Sequence, residues 1–320
     1  MTQHSAGPQG VGPAETPPAP AEVEQPTTPG ARKRLSRGQL TFRRFLRNKT
    51  AVVGAIVIIT LAIIAAIGPE LFYWKFDDID YDAFLKGPDS NHILGTTQAG
   101  RDVLALTLRG MSKSLIIGFM VALIATSIAA LVGATAAYVG GFTEKAILWI
   151  VDLMLVIPSF LLIAVITTGG PQGPNAWLLL VVLLAIFGWP LSSRVVRSLT
   201  LSVKEREYIQ AAKFMGLPAW KIIIRHIIPN VSSLLIIDAT LGVGYAILAE
   251  TGLSYFGFGV QAPDTSLGTL IGEGARMATT YPWVFMGPAT VLVILVMSVN
   301  AVGDGLRDAL DPTSGSGGRA

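Results

Sequence analysis

Three carboxylates lie in or beside the most apolar parts of this sequence: Asp152, Asp238 and Glu250. A charge in hydrocarbon is costly, so such a group lines a watery path, relays protons or pairs with a neighbour. Two facing carboxylates could also work as acid and base in an intramembrane enzyme. Asp152 and Asp238 fall on separate predicted helices, however, and no recognisable catalytic motif accompanies them. Asp238 is the candidate for lining a translocation pathway; a structural partner on a neighbouring helix is the alternative. Other chemistries are poorly provided for. There is no cysteine, hence no disulfide, thiolate ligand or thiol nucleophile. His4, His92 and His226 are too scattered for a metal site. No Gly-x-x-x-x-Gly-Lys-Ser/Thr phosphate cradle occurs, so the chain is not expected to hydrolyse ATP itself.

The elements that must position these carboxylates are membrane helices. The 320 residues are 51% hydrophobic and 14% charged, where a soluble domain carries about a quarter charged residues. Uncharged runs cover 51–69, 114–143, 153–193 and 277–303. A bilayer core takes about 20 apolar residues per helix. Spans must satisfy their own backbone hydrogen bonds, and these runs lack the alternation of a β-barrel. The sequence predicts an all-α integral membrane protein with six transmembrane helices, near 51–72, 113–138, 145–168, 175–194, 231–250 and 283–303. The Gly/Pro cluster "TTGGPQGPN" divides the third from the fourth.

Residues 1–30 hold seven prolines and no large aromatic residue; they read as a disordered cytoplasmic tail. Residues 31–50 form a basic juxtamembrane segment, read as an interfacial helix with Leu40, Phe42, Phe45 and Leu46 towards lipid. Residues 51–312 form the helical domain, and 313–320 a flexible Gly/Ser tail. With both termini inside, cytoplasmic segments carry 18 of the 24 Lys and Arg residues and outer loops 6, which the positive-inside rule favours.

The stretch "EYIQAAKFMGLPAWKIIIRHIIPN" then lies in the cytoplasm. Tyr208, Ala211, Ala212 and Met215 recur at helical spacing, after Glu205 and Glu207 near the start. Gly216 is placed to terminate this helix and Pro218 to begin another carrying Trp220, Ile223, Ile224 and Ile227. Pro229 is expected to stop or kink it. The result is a helix–Gly–helix elbow, suited to a groove on a partner or to a lipid surface.

This elbow resembles the "EAA" loop of bacterial ABC importer permeases through Ala211, Ala212, Gly216 and Pro229. Gln210 stands where that pattern has Glu, and His226 where it has Ile. "HILGTTQAGRDVLALTLRGMSKSL" (92–115) and "GLSYFGFGVQAPDTSLGTLIGEGA…PWVF…VNAVGDGLRDALDP" (252–312) resemble the C-type subunits of the dipeptide/oligopeptide branch of that family. The similarity spans about residues 40–312. It implies an ABC type I importer permease fold, N-in and C-in, in a bacterial cytoplasmic membrane. The implied partners are a second homologous permease, two cytoplasmic ATPase domains that bind ATP and Mg, and an extracytoplasmic substrate-binding protein, besides the lipid bilayer; nucleic acid is not among them. The loop 204–229 would be the coupling element docking into the ATPase, through Glu207, Tyr208, Gln210, Ala211, Ala212, Met215, Gly216, Leu217 and Trp220. No cofactor or metal is expected on this chain. Nickel and glutathione importers share these motifs and remain the alternative substrates; an intramembrane enzyme is the remote alternative. Structural capping is the favoured role of Asp102 in "GRDVL".

Overall fold

A computed structural model describes residues 37–170 and 175–310, together with Thr2 and Gly173. The readings of the tails at 1–30 and 313–320 lie outside the described residues. Among those described, the secondary structure is helical, with one isolated bridge between Thr96 and Asp102. The helices are α1 (Arg37–Arg47), α2 (Lys49–Leu71), α3 (Val103–Val139), α4 (Gly141–Val156), α5 (Ser159–Thr168), α6 (Ala176–Lys204), α7 (Glu207–Phe214), α8 (Ala219–Ile222), α9 (Ile228–Tyr255), α10 (Leu267–Ala275) and α11 (Pro282–Leu310). A π-helical turn, Ile223–Ile227, joins α8 to α9.

Among the described residues, five helical stretches are long and apolar enough to cross a membrane, and six if the bent pair α4–α5 is one span. α2 shows why these segments become spans. Asn48 caps it, its Oδ1 accepting from the Ala51 N–H at 3.2 Å, and apolar side chains then surround the whole helix. One flank packs inward through Ala51, Gly54, Ala65 and Gly68; the other leaves Val53, Ile56, Ile59, Ile63 and Ile67 outside, as a hydrocarbon-facing surface requires.

α3 is the central helix, packed along its length on α6 and α9. One core joins Ile117 and Val121 of α3 with Ile163 of α5, Leu180 and Leu184 of α6 and Leu253 of α9. A second joins α3 through Met111 and Leu115 to Ala65, Val243, Leu267 and Leu295. Small residues let α9 approach both neighbours within this one subunit. Gly242 lies against Ala122 of α3, and Gly244 against Val299 and Asn300 of α11.

The structure departs from the sequence expectations in identifiable ways. α3 begins ten residues before the expected 113, because Asp102 caps it, Oδ1 accepting from Ala105 N–H at 2.8 Å. The charges of Arg109 and Lys113 do not delay the start, because both pair with Asp264. The expected straight helix 145–168 is two helices bent by 76°. Pro158 cannot donate a backbone hydrogen bond and pushes Ile157 into an extended conformation, ψ 128°. α6 continues ten residues beyond the expected 194. The loop between α9 and α11 contains α10, capped by Ser266. In α1, Leu40, Phe42 and Leu46 are exposed, and Phe45 turns towards Gly305 of α11.

Candidate functional site

The elbow begins where α6 ends. Arg206 N–H bonds Val203 O, and α7 starts after one extended residue. It ends in a Schellman motif: Leu217 N–H reaches Ala212 O at 3.2 Å and Gly216 N–H reaches Lys213 O at 3.0 Å. Gly216 has φ +77°, the left-handed region in which an L side chain is strained. Pro218 is the N-cap of α8 rather than its first residue, so the helix starts one position after the expected one, and the Pro218 carbonyl accepts from Lys221 and Ile222. Pro229 does not stop the helix. The preceding turn widens to π geometry, with Ile228 N–H bonding Ile223 O, and helix continues from Ala219 to Tyr255.

The elbow has a buried root and a bare tip. Ile209, Ala212, Ile222, Ile223 and Ile227 are buried against Ala134 of α3, Val196 and Val203 of α6 and Val231 of α9, with Leu217 packed beside them. Gln210 Nε2 donates to Lys204 O at 2.9 Å, and Lys204 Nζ to Ala137 O at 3.1 Å, tying α7 to the ends of α6 and α3. Ala212, Gln210 and Leu217 thus brace the elbow from within. Glu207, Tyr208, Ala211, Phe214, Met215, Gly216 and Trp220 are exposed. Phe214 is the barest of the large residues at 88%, with Met215 at 72% and Trp220 at 60%. Ile223 and Ile227 are buried while Ile224 and Trp220 are exposed, so the expected apolar face of the second helix is shared between root and surface.

Asp238 sits on α9 at the wall of a cavity of about 420 Å³ between α3, α5, α6 and α9. Thr126 Oγ1 of α3 donates to its Oδ2 at 3.1 Å, and Ser192 Oγ of α6 to its Oδ1 at 2.7 Å. The rest of the wall is largely apolar and aromatic, including Ile163, Phe187 and Tyr245. Asp152 takes a different environment: it pairs with Arg194 on the surface of α6, as Glu144 does with Arg197. The acid–base pairing of Asp152 with Asp238 is therefore not built, since the carboxylates engage different partners.

Glu250 is fully buried. It accepts from Ser114 at 3.0 Å and Ser254 at 2.5 Å. Ser254 also receives Val260 N–H at 3.2 Å, and Ser266 approaches it at 3.3 Å. The glycine-rich loop after α9 is thereby held onto α3 and α10. Beside this network Lys113 Nζ meets Asp264 at 2.5 Å and lies 4.3 Å from the Trp177 ring centre.

The loop between α2 and α3 is organised by His92. The ring is buried, stacked 4.8 Å from Trp74, and set between Asp102 Oδ2 at 2.8 Å and Asp80 Oδ2 at 3.2 Å. Asp80 is held below the ordinary carboxylate range by the Asp82 backbone N–H and then by His92. Asp89 is held down to about 2, first by the Lys86 ammonium and then by the His92 and Asn91 backbone N–H groups. Among the described residues no cluster of His, Asp and Glu has the arrangement of a metal site.

Some of these residues carry no sequence signal. Thr126 and Ser192 lie in Thr-Ser and Ser-Ser pairs within uncharged runs, and only the fold brings one hydroxyl of each pair to Asp238. Ile209 lies off the set Tyr208, Ala211, Ala212 and Met215, and its burial follows from Ala134 and Val196 on other helices.

Residues 127–315 match the family model described as the binding-protein-dependent transport system inner membrane component. Residues 36–88 match the N-terminal TM domain of oligopeptide transport permease C. The chain is 52% identical over 281 residues to the oligopeptide transport system permease protein OppC of Mycobacterium tuberculosis, covering 88% of this chain and 96% of that one. It is 36% identical over 272 residues to the dipeptide transport system permease protein DppC of Alkalihalophilus pseudofirmus, covering 85% and 88%. To OppC of Bacillus subtilis it is 33% identical over 282 residues, covering 88% and 92%.

Proposed function

Because this chain belongs to the family of inner membrane components of binding-protein-dependent transport systems, we propose that it is the permease subunit of an ATP-driven importer of oligopeptides and dipeptides in the bacterial cytoplasmic membrane. The names of its relatives support the peptide substrate. Residues 51–312 form the permease domain and 204–229 its cytoplasmic docking element. A second homologous permease completes the pathway, two ATPase domains hold ATP and Mg beneath it, and an extracytoplasmic binding protein delivers the peptide.

The observation that carries this reading is the division of the elbow. A surface loop lying passively on lipid has no need of a buried, hydrogen-bonded root. An element that transmits force needs both a rigid attachment and a free tip. Phe214, Met215, Tyr208 and Trp220 supply the tip, aromatic and methionine side chains of the sort enriched at protein interfaces. Closure of the ATPases on ATP pushes the tip; the root passes the displacement to α3, α6 and α9. α8, the π turn and α9 run without a break from the elbow to Asp238 and onward to Glu250, so the pathway wall moves with the elbow. This is coupling between two sites through one element with two positions. Asp238 lines the pathway, and hydrolysis resets the assembly.

The test uses the absence of cysteine. A single cysteine at Phe214 or Trp220, carrying a photo-activated cross-linker, is expected to join the chain to an ATPase subunit in native membranes. A chain that purifies alone from mild detergent, with both positions reacting only with lipid, would overturn the docking role.

A further inference from the structure

The four carboxylates carried by α4 and α9 are compensated in different ways. Glu144 and Asp152 face Arg197 and Arg194. Glu250 is closed off from solvent and satisfied by hydroxyls. Asp238 alone of the four combines two properties: no Lys, Arg or His among the described residues pairs with it, and it opens onto a cavity. Its two hydrogen bonds come from neutral hydroxyls, one to each carboxylate oxygen. They fix the orientation of the carboxylate without neutralising it.

A carboxylate oriented in this way at an apolar wall is a site for a cation. The cavity, about 420 Å³, falls in the size range of small-molecule pockets, well beyond the needs of a bare ion. Tyr245 and Phe187 in the wall are aromatic residues of the kind that attract organic cations. Building on the pathway reading of Asp238, we infer that this carboxylate, held by Ser192 and Thr126, receives the primary ammonium group of a peptide as it passes through the membrane. Each oxygen keeps lone pairs for the incoming N–H groups, since a carboxylate offers about four acceptor positions. The ammonium sheds water on entering the cavity, and the fixed carboxylate replaces part of that hydration. One charge–charge contact holds any sequence that has a free amino group, so the site accepts many peptides without reading their side chains.

The experiment uses the complete importer in proteoliposomes, with Leu241→Cys in the cavity wall as the single cysteine of this chain. The rate of its modification is measured with a cationic and an anionic thiol reagent of equal size. Each rate is taken with and without trialanine, and with and without N-formyl-trialanine, in the resting and ATP-loaded states. The cation is expected to react about tenfold faster than the anion, the effect of one nearby carboxylate in a partly screened cavity. Asp238→Asn, which keeps the shape and can still bond both hydroxyls, should bring the ratio near one. Trialanine should slow the reaction and N-formyl-trialanine should not. A ratio unchanged by Asp238→Asn, equal protection by both peptides, or protection by neither overturns the ammonium site while leaving an accessible pathway. A cysteine that neither reagent modifies in any state overturns the pathway reading itself.

Discussion

Ser114 and Glu250 lie 136 positions apart and meet through a 3.0 Å hydrogen bond from the serine hydroxyl to Glu250 Oε2. The same hydroxyl accepts the Leu267 N–H at 3.2 Å. One buried oxygen thus fastens α3, α9 and the start of α10 together. Ser114→Ala leaves a buried carboxylate oxygen and a buried N–H each short of a partner. The expected loss is about 1–3 kcal/mol, read as a lower thermal midpoint of the detergent-purified protein. An unchanged midpoint would mean the network contributes nothing to holding α3, α9 and α10 together.

Gly216 tests the elbow through its backbone. Nothing lies within 4 Å of an added Cβ, so the cost of Gly216→Ala is conformational alone, about 1–2 kcal/mol for the left-handed residue. Gly216→Pro is harsher, because proline requires φ near −65° and lacks the N–H that bonds Lys213 O. Peptide uptake at equal membrane abundance should fall modestly with alanine and be lost with proline. Normal uptake by the proline variant would count against the docking model.

Root and tip of the elbow should separate cleanly under mutation. Ile209→Ala opens a cavity among fully buried side chains and should cost about 2–5 kcal/mol of stability. Phe214→Glu, at an exposed position, should leave the melting midpoint unchanged and abolish co-purification of the ATPase subunits. Melting curves and subunit stoichiometry check the two together.

The Lys86–Asp89 pair, 2.6 Å apart, gives a pH signature. Asp89 is held down to about 2 in the fold, against roughly 3.9 when unfolded. Its contribution is fully present above the unfolded value and declines as pH falls from about 4 towards 2. The midpoint difference between wild type and Asp89→Asn should therefore be constant at neutral pH and close over that acid window. A gap that persists below about pH 2 would assign the pair no role.

Much of the architecture was legible because membrane spans announce themselves: uncharged runs of 19 to 41 residues have few other uses. The spans' outer limits were less legible. The uncharged run begins only at 114, whereas α3 extends back through Lys113 and Arg109 because both pair with Asp264, 151 residues beyond Lys113. The elbow was visible through Gly216 and the three- and four-residue spacings, but which face turned inward was not. That depends on Ala134 and Val196, which no local pattern links to Ile209. Asp238 was singled out by its cost in an apolar run, while its partners Thr126 and Ser192 became identifiable only once three helices were brought together.

The π turn before Pro229 amounts to one extra residue inserted in an otherwise α-helical rod. Each α-helical residue turns the chain by about 100°, so the insertion sets the phase of everything beyond it relative to the elbow. With one residue removed from Ile223–Ile227, the turn would close to α geometry. The elbow could stay seated on α3 and α6, but the rest of the rod would be rotated by about that angle. Asp238 would leave Thr126 and Ser192, and Glu250 would leave Ser114. The wide turn therefore acts as a key cut to one lock. It sets the rotational phase between the elbow and the Asp238–Glu250 stretch of α9, the same phase that the packing of both on α3 and α6 requires.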